Sequence, residues 1–359
     1  MRAILLNPGP VSLSEGVRKA AVSLDLCHRE PEYSRLQARV RQQLLDVYGC
    51  AGDDWAAVLM GGSGTTALEA MLASLPGRDA RLLVLENGVY GERIARIAEI
   101  HGLVSEALQF GWADPIDFQR VEAALADGAF THLAAVHHET TTGRLNDVQQ
   151  LAALCEAHGV ELLLDAVSSF GAEAIPFDSP ALAACAATAN KCLHGIPGLC
   201  FVVARRGALE SGAQPPRSLY LDLSLWLTKQ DQDSTPFTPP VNAVLALDKA
   251  LEELREQGGW PARHARYARL AGRVRRALSA CGVESMLAPE DSSVVLVAYR
   301  IPGKMSYPAI HDGLKQWGFV IYAGQGKLAT ELFRISTMGD ITHYDIERLL
   351  AAIESVFSR

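Results

Sequence analysis

The sequence contains no apolar run approaching the ~20 residues that a membrane-crossing helix needs. It has no Cys-x-x-Cys pair, no internal repeat, no low-complexity tract and no long linker. Nor is positive charge in excess. The 33 Lys and Arg residues stand against 41 Asp and Glu, a formal net charge of −8. Each absence excludes something. Nucleic acid and anionic membrane surfaces are poor main partners for such a chain, so an anionic substrate must be held by a few local arginines. The seven cysteines (Cys27, Cys50, Cys155, Cys185, Cys192, Cys200, Cys281) are an odd number. Cys192 and Cys200 lack zinc-knuckle spacing. They read as thiols in a reducing cytoplasm, with no metal site expected. The opening MRAILLNPGPVS is broken by Pro8, Gly9 and Pro10, so it is not read as a signal peptide. What is present is ordinary for a globular protein: 49 % hydrophobic and 21 % charged residues in 359. At roughly 100–200 residues per domain, that length predicts two or three structural units around a large core.

Short apolar runs predict buried strands at Ala57–Met60, Arg81–Leu85, His132–Val136, Val160–Asp165, Cys185–Ala189 and Leu199–Ala204. Helical spacing lies between several of them. Leu68, Met71, Leu72 and Leu75 follow i, i+3, i+4, i+7, and Asn87–His101, Asp117–Leu125 and Asp147–His158 also read as helices. The alternation predicts right-handed βαβ units, a mostly parallel sheet and helices on both faces. Ligands of such sheets bind beyond the carboxyl ends of the strands. After about residue 205 the pattern changes. Ser211–Pro216 and Ser234–Pro240 read as loops, then helices follow over Val241–Gln257 and Pro261–Cys281. Their charges, Glu252, Glu253, Arg255, Arg266, Arg269, Arg273, Arg275 and Arg276, read as a solvated face. The last stretch reads strand Ser293–Arg300, helix Tyr307–Gln316, strands Phe319–Tyr322 and Leu332–Thr337, and helix Tyr344–Phe357. The predicted division is a large domain over 1–250 and a small α+β domain over 251–359. The arm 1–20 is expected near the small domain and the active site.

Three motifs are chemically suggestive. Gly61-Gly-Ser-Gly-Thr-Thr66 follows an apolar strand and opens a helix. Glycines let a phosphate approach the backbone, and first-turn N–H groups point at it. No Gly-Lys-Ser/Thr follows, so it is not a P-loop. A tight turn with a Ser/Thr cap is the competing reading. Asp165 ends the run Val160–Asp165, where a buried carboxylate is expensive unless paired. It either caps the next turn or faces a buried cation. Two opposite charges ~4 Å apart at an effective dielectric of ~20 attract by about 4 kcal/mol. That is roughly three pKa units, enough to keep a pyridine nitrogen protonated. Lys191 lies 26 residues later in Ala189-Asn-Lys-Cys-Leu-His-Gly195, among small and apolar neighbours. A desolvated lysine becomes a usable amine nucleophile.

Together the three meet the needs of pyridoxal 5′-phosphate: a phosphate site, a carboxylate for the ring nitrogen and a lysine for the Schiff base. Tyr90, after the next strand, is either the aromatic stacked on that ring or a packed residue near a turn.

With these residues in view, the chain resembles the class V, fold-type I aminotransferases. The resemblance runs along almost the whole chain. It rests on Leu6-Asn-Pro-Gly-Pro10, Gly62-Ser-Gly-Thr65, Asn87-Gly-Val-Tyr-Gly-Glu-Arg93, His137-His-Glu-Thr-Thr-Thr-Gly143, Asp165-Ala-Val-Ser-Ser-Phe-Gly171 and Ala189-Asn-Lys-Cys192. Arg217-Ser-Leu219, Phe237-Thr-Pro239, Gly318-Phe-Val-Ile-Tyr322, Phe333-Arg-Ile335 and Met338-Gly-Asp340 complete it. The His-Glu-Thr-Thr-Thr-Gly, Ala-Asn-Lys-Cys and Arg-Ser-Leu segments point to the branch that exchanges an amino group between 2-aminoethylphosphonate and pyruvate. The resemblance implies an α/β fold of type I: a large domain with a mostly parallel sheet, and a smaller C-terminal α+β domain. It implies pyridoxal phosphate, an amine donor, a 2-oxo acid, and a cytoplasmic homodimer with its active site at the subunit interface. It makes Lys191 the cofactor-bearing amine and proton shuttle, and Asp165 the partner of the ring nitrogen. Ser63, Gly64 and Thr65 become phosphate ligands, joined by Thr238 from the second subunit. Tyr90, Thr140, Ser168 and Asn190 complete the cofactor contacts. Arg334 becomes the clamp for the acceptor carboxylate, a role that suits a planar guanidinium.

Two stretches depart from many relatives. Ser234-Thr-Pro-Phe-Thr-Pro-Pro-Val-Asn242 replaces a Trp-Arg-Phe-Thr segment, and Cys27-His-Arg-Glu-Pro-Glu-Tyr33 replaces a tryptophan-containing one. Arg29 and His28 are candidates to help bind a phosphonate; the competing reading pairs Arg29 with Glu30 or Glu32. The alternative functions are transamination of small amino and oxo acids of the alanine–glyoxylate or serine–pyruvate type, or a pyridoxal phosphate-dependent lyase. A binding protein that kept the fold and lost catalysis is the remaining rival.

Overall fold

All six predicted buried runs, with one further strand, form one sheet. The computed structural model describes residues 3–50, 54–128, 130–210 and 215–358. Of the predicted loop Ser211–Pro216, residues 211–214 lie outside them. The seven-stranded sheet runs in the order Trp55–Gly61, Leu199–Arg205, Leu182–Thr188, Glu161–Asp165, His132–Val136, Arg81–Glu86, Val104–Gln109. Leu199–Arg205 is antiparallel to both of its neighbours, and the other four pairings are parallel. The sheet is therefore mixed but mostly parallel. Its inner strands are buried on both faces, which is why they read as unbroken apolar runs.

The edge strand Val104–Gln109 escapes sequence reading because it lacks that signature: its side chains are almost all exposed. Helices pack on both faces, filling two separate apolar clusters. Their starts follow local chemistry. Asp117 accepts from the amides of Gln119 and Arg120, and Asp147 from that of Gln150, as helix N-caps do. The helices Pro31–Asp46 and Leu223–Asp231 had no reading from the sequence.

A third cluster gathers Leu270, Val274, Val297, Phe319, Phe333, Ile346 and Leu349 with Ile4 and Leu6 from the opposite end of the chain. Its antiparallel sheet runs Leu296–Arg300, Leu332–Ser336, Tyr322–Ala323. The predicted single strand Phe319–Tyr322 is in fact divided. Phe319–Val320 pairs in parallel with Ile4–Leu5, and Tyr322–Ala323 pairs with Arg334 and Phe333. Beyond Ile4–Leu5 the arm crosses the molecule, and its helix Glu15–Ala20 buries Val17 against Ala246 and Ala250.

The charges expected on a solvated face need correction. Arg266 donates to the Ile341 carbonyl, Arg275 to that of Leu287, and Arg273 pairs with Glu347. Three of the arginines thus tie the helix Gly259–Ala280 to its neighbours, because long guanidinium side chains bury their stems while the donors find carbonyls. All seven cysteines are free thiols, and Cys27 is exposed. Among the described residues, no helix is long and apolar enough to cross a membrane.

Candidate active site

The parallel strands end on one edge of the sheet, and the chain leaves that edge five times. Gly61 leads into Ser63 and the helix Gly64–Ser74; Glu86 leads to Tyr90; Val136 leads to Thr140. Asp165 is itself a strand end, and the turn carrying Lys191 joins Leu182–Thr188 to Leu199–Arg205. Sheet topology alone therefore collects residues that are far apart in sequence.

The helix Gly64–Ser74 starts with the Ser63 amide donating to Thr66 Oγ1 at 3.2 Å. Ser63 is exposed at the N-cap, and its side chain turns back to the Thr66 backbone in a capping box, the cap that the sequence offered as the competing reading. Gly62 has φ +152°, and a Cβ there would lie 2.3 Å from Thr66 Oγ1. A Cβ on Gly64 would come within 2.5 Å of Val167, so only glycine lets this helix start press against the turn after Asp165. The result is an open cup of helix N–H groups with the Ser63 and Thr65 hydroxyls at its lip, suited to an anion.

Asp165 is buried, and one of its oxygens accepts from the Val167 amide at 2.9 Å. Burial pushes its pKa up to about 6, while the amide and the charges of Arg93 and Lys191 pull the other way. The carboxylate so placed gains from any cation that reaches it. The Lys191 ammonium is desolvated, which pulls its pKa down to about 8. The fields of Arg334 and Arg93 add to that, and Asp165 opposes it. A Cβ on Gly9, where φ is +120°, would sit 2.8 Å from Lys191 Cδ, so the arm lies directly against the lysine stem.

Arg334 is buried. Nε donates to the Ala323 carbonyl at 2.9 Å and Nη1 to the Thr140 carbonyl at 2.9 Å and Gln325 Oε1 at 3.3 Å. Every one of these acceptors is neutral. Among the described residues Arg334 forms no direct ion pair; the Glu139 carboxylate acts on its charge only through its field. Thr140 is buried with Oγ1 lacking any partner, an orphan that needs a ligand or solvent. The Ser168 carbonyl accepts from His138, and Asn190 Oδ1 accepts from Thr188 Oγ1 at 2.8 Å.

Two predicted residues stand apart. Arg29 is exposed and donates to the Thr235 carbonyl at 2.8 Å and to Ser234 Oγ. It pairs with neither Glu30 nor Glu32; Glu32 pairs with Arg35 instead. Thr238 is exposed in a cleft of about 480 Å³ whose walls include Leu26, Cys27, His28 and Pro239. The two stretches that depart from many relatives thus meet, but no contact links them to Lys191, Asp165 or Arg334 among the described residues.

Sequence reasoning missed Glu139 and Arg93. Glu139 is buried and accepts from the Tyr90 amide at 3.1 Å and the Thr141 amide at 3.0 Å, lacing two of the strand-end loops together. Gly88 is the signal that could have revealed it, since a Cβ there would lie 2.3 Å from the Glu139 carboxyl carbon. Arg93 donates to Thr65 Oγ1 at 3.1 Å and lies 4.6 Å over the Tyr90 ring.

The chain is similar to known proteins along nearly its whole length. The Aminotransferase class-V family matches residues 19–348. A 2-aminoethylphosphonate–pyruvate transaminase of Vibrio vulnificus (strain CMCP6) is 38 % identical over 356 residues, covering 98 % of this chain and 96 % of that one. One of Phocaeicola vulgatus is 35 % identical, covering 98 % of each. Among solved structures, an aspartate aminotransferase of Thermus thermophilus superposes with a TM-score of 0.90 at 28 % identity over 99 % of both chains.

Proposed function

The chain belongs to the class-V aminotransferase family, and from that premise we propose that it is a pyridoxal phosphate-dependent transaminase exchanging an amino group between 2-aminoethylphosphonate and pyruvate. The products of that direction are phosphonoacetaldehyde and alanine. The single observation that carries the reading is that a buried Asp165 and a desolvated Lys191 stand within each other's field beside an anion cup. It fits the cofactor part by part: Ser63, Gly64 and Thr65 at the phosphate, Asp165 at the ring nitrogen, Tyr90 on the ring face, and the orphaned Thr140 hydroxyl, Ser168 and Asn190 at its edges. When bound, the cofactor supplies a carbonyl for the amine and a ring that accepts electrons.

The chain's own residues do the rest. Asp165, costly while unpaired, holds a proton on the ring nitrogen by its charge. Lys191 Nζ, with a pKa near 8, is neutral in a useful fraction of molecules at physiological pH. It takes the proton from the amine-bearing carbon of the donor and returns one in the reverse half. Arg334 offers its guanidinium to the carboxylate of pyruvate. The arm at Gly9 covers the lysine stem and limits its motion. In this reading the working unit is a homodimer in a reducing cytoplasm. Thr238 of each subunit completes the phosphate cup of the other, and Arg29, by holding the Thr235 carbonyl and the Ser234 hydroxyl, serves that loop beside the donor's phosphonate.

A single-turnover assay tests it. Protein loaded with cofactor is given 2-aminoethylphosphonate without pyruvate. The expected result is one phosphonoacetaldehyde per subunit, and then one alanine when pyruvate is added. No aldehyde from the phosphonate, with alanine or serine reacting in its place, would overturn the donor.

A further inference from the structure

We propose that Arg93 organises the phosphate end of the site, aiming the Thr65 hydroxyl into the cup and backing the Tyr90 ring with one guanidinium. The proposal rests on reading this cup as the cofactor-phosphate site. Arg93 follows Tyr90 by three residues on the helix Val89–Ile100, which places both on one face. The guanidinium carbon lies 4.6 Å over the Tyr90 ring. It occupies one face and leaves only the other for stacking. Nη1 donates to Thr65 Oγ1 at 3.1 Å. A hydroxyl whose oxygen accepts from a cation turns its own proton elsewhere. At the first turn of the helix Gly64–Ser74, that proton is available to the anion held there.

The side chain is half-buried, and among the described residues it forms no ion pair. A guanidinium in such a place ordinarily finds a carboxylate. Here its named partners are a hydroxyl and an aromatic face, so its charge stays uncompensated beside the cup. Its field reaches both Asp165 and Lys191, whose pKa values it lowers. Arg93 is therefore a positioning residue: it acts on the cofactor through Thr65 and Tyr90. The ligand class is a phosphate monoester dianion.

The test is equilibrium binding of pyridoxal 5′-phosphate and of pyridoxal to the cofactor-free full chain, followed by absorbance. The preference for the phosphate-bearing compound is the ratio of the two affinities. Arg93→Gln should lower that ratio at least ~10-fold, the scale of a charge-assisted hydrogen bond. Arg93→Lys should restore part of it, because an ammonium still donates to Thr65. In Arg93→Gln combined with Thr65→Val, the losses should not add. A wild-type ratio in Arg93→Gln, or fully additive losses, would overturn the proposal. Should Arg93→Gln not fold, Arg93→Lys combined with Thr65→Val decides by the same criterion. If the wild-type chain itself binds the two compounds equally, the cup has been misread, and that failure is distinct from failure of the Arg93 assignment.

Discussion

The carboxyl edge of the sheet and the rim that carries Arg29 and Thr238 are built on opposite principles. At the sheet edge the charged groups Asp165, Lys191 and Arg334 are desolvated and their pKa values displaced. Asp165 is pushed up to about 6 and Lys191 down to about 8. The buried Arg334 is gripped by neutral oxygens only. At the rim the side chains are exposed, and Arg29 is spent on the backbone of its own chain. The difference teaches where each part of the reaction is prepared. In the proposed reading, proton transfer and carboxylate binding are poised inside one chain by burial. The rim is poised for nothing until something covers it, and in the proposed reading that is a second subunit.

The largest effects should come from the sheet edge. Lys191→Ala should abolish alanine formation, a loss of at least ~10³-fold in kcat by the usual scale of general acid–base catalysis. Retained turnover would dissolve the contrast. Asp165→Asn should also lower kcat by about 10²-fold or more, yet stabilise the cofactor-free protein. The sign follows from burial. A folded-state pKa raised from 3.8 to about 6 means that the folded chain binds more protons between those values, so its stability falls as pH rises through that window. Above pH 6 the full penalty, on the order of 2–3 kcal/mol, is present, and asparagine removes it. Thermal unfolding at pH 5 and pH 8 checks this: the gain over wild type should be larger at pH 8.

Arg334→Lys comes next. It should raise KM for pyruvate by about 10- to 100-fold with a smaller change in kcat, because a point charge cannot keep the fork that three oxygens now orient. Steady-state kinetics with pyruvate varied would show it. Arg29→Ala should be the smallest, a few-fold rise in KM for the phosphonate through a loosened 234–238 loop. A hundredfold effect of Arg29→Ala would erase the distinction between the two regions.

Much of this was legible in the sequence, and the failures have physical causes. Asp165 and Lys191 stand out in the sequence because each puts a charge beside a buried apolar run, although Asp165 also makes the turn-capping contact that was its competing reading. The turn that carries Ser63, Gly64 and Thr65 follows from glycine spacing after an apolar strand, while their phosphate role came from the resemblance. The edge strand Val104–Gln109 was invisible because exposure on both faces removes the apolar signal. The split of Phe319–Tyr322 between two sheets depends on pairing with Ile4–Leu5, a contact across more than three hundred residues that local pattern cannot encode. Arg93 and Glu139 sat in quoted motifs without roles, since their significance lies in what they touch across loops: Thr65 for one, the Tyr90 amide for the other.

The contrast is tested most directly by mixing two inactive variants. Lys191→Ala lacks the proton-transferring amine, and Thr238→Asp sets a carboxylate against the phosphate that Thr238 is proposed to serve in the other subunit. After subunit exchange, each hybrid dimer carries one site with an intact Lys191 and an intact Thr238. Transamination of 2-aminoethylphosphonate with pyruvate should then recover to about a quarter of the wild-type rate, as random pairing of a two-fold dimer requires. Activity no higher than the sum of the separate variants would contradict the account, and would return both regions to a single chain.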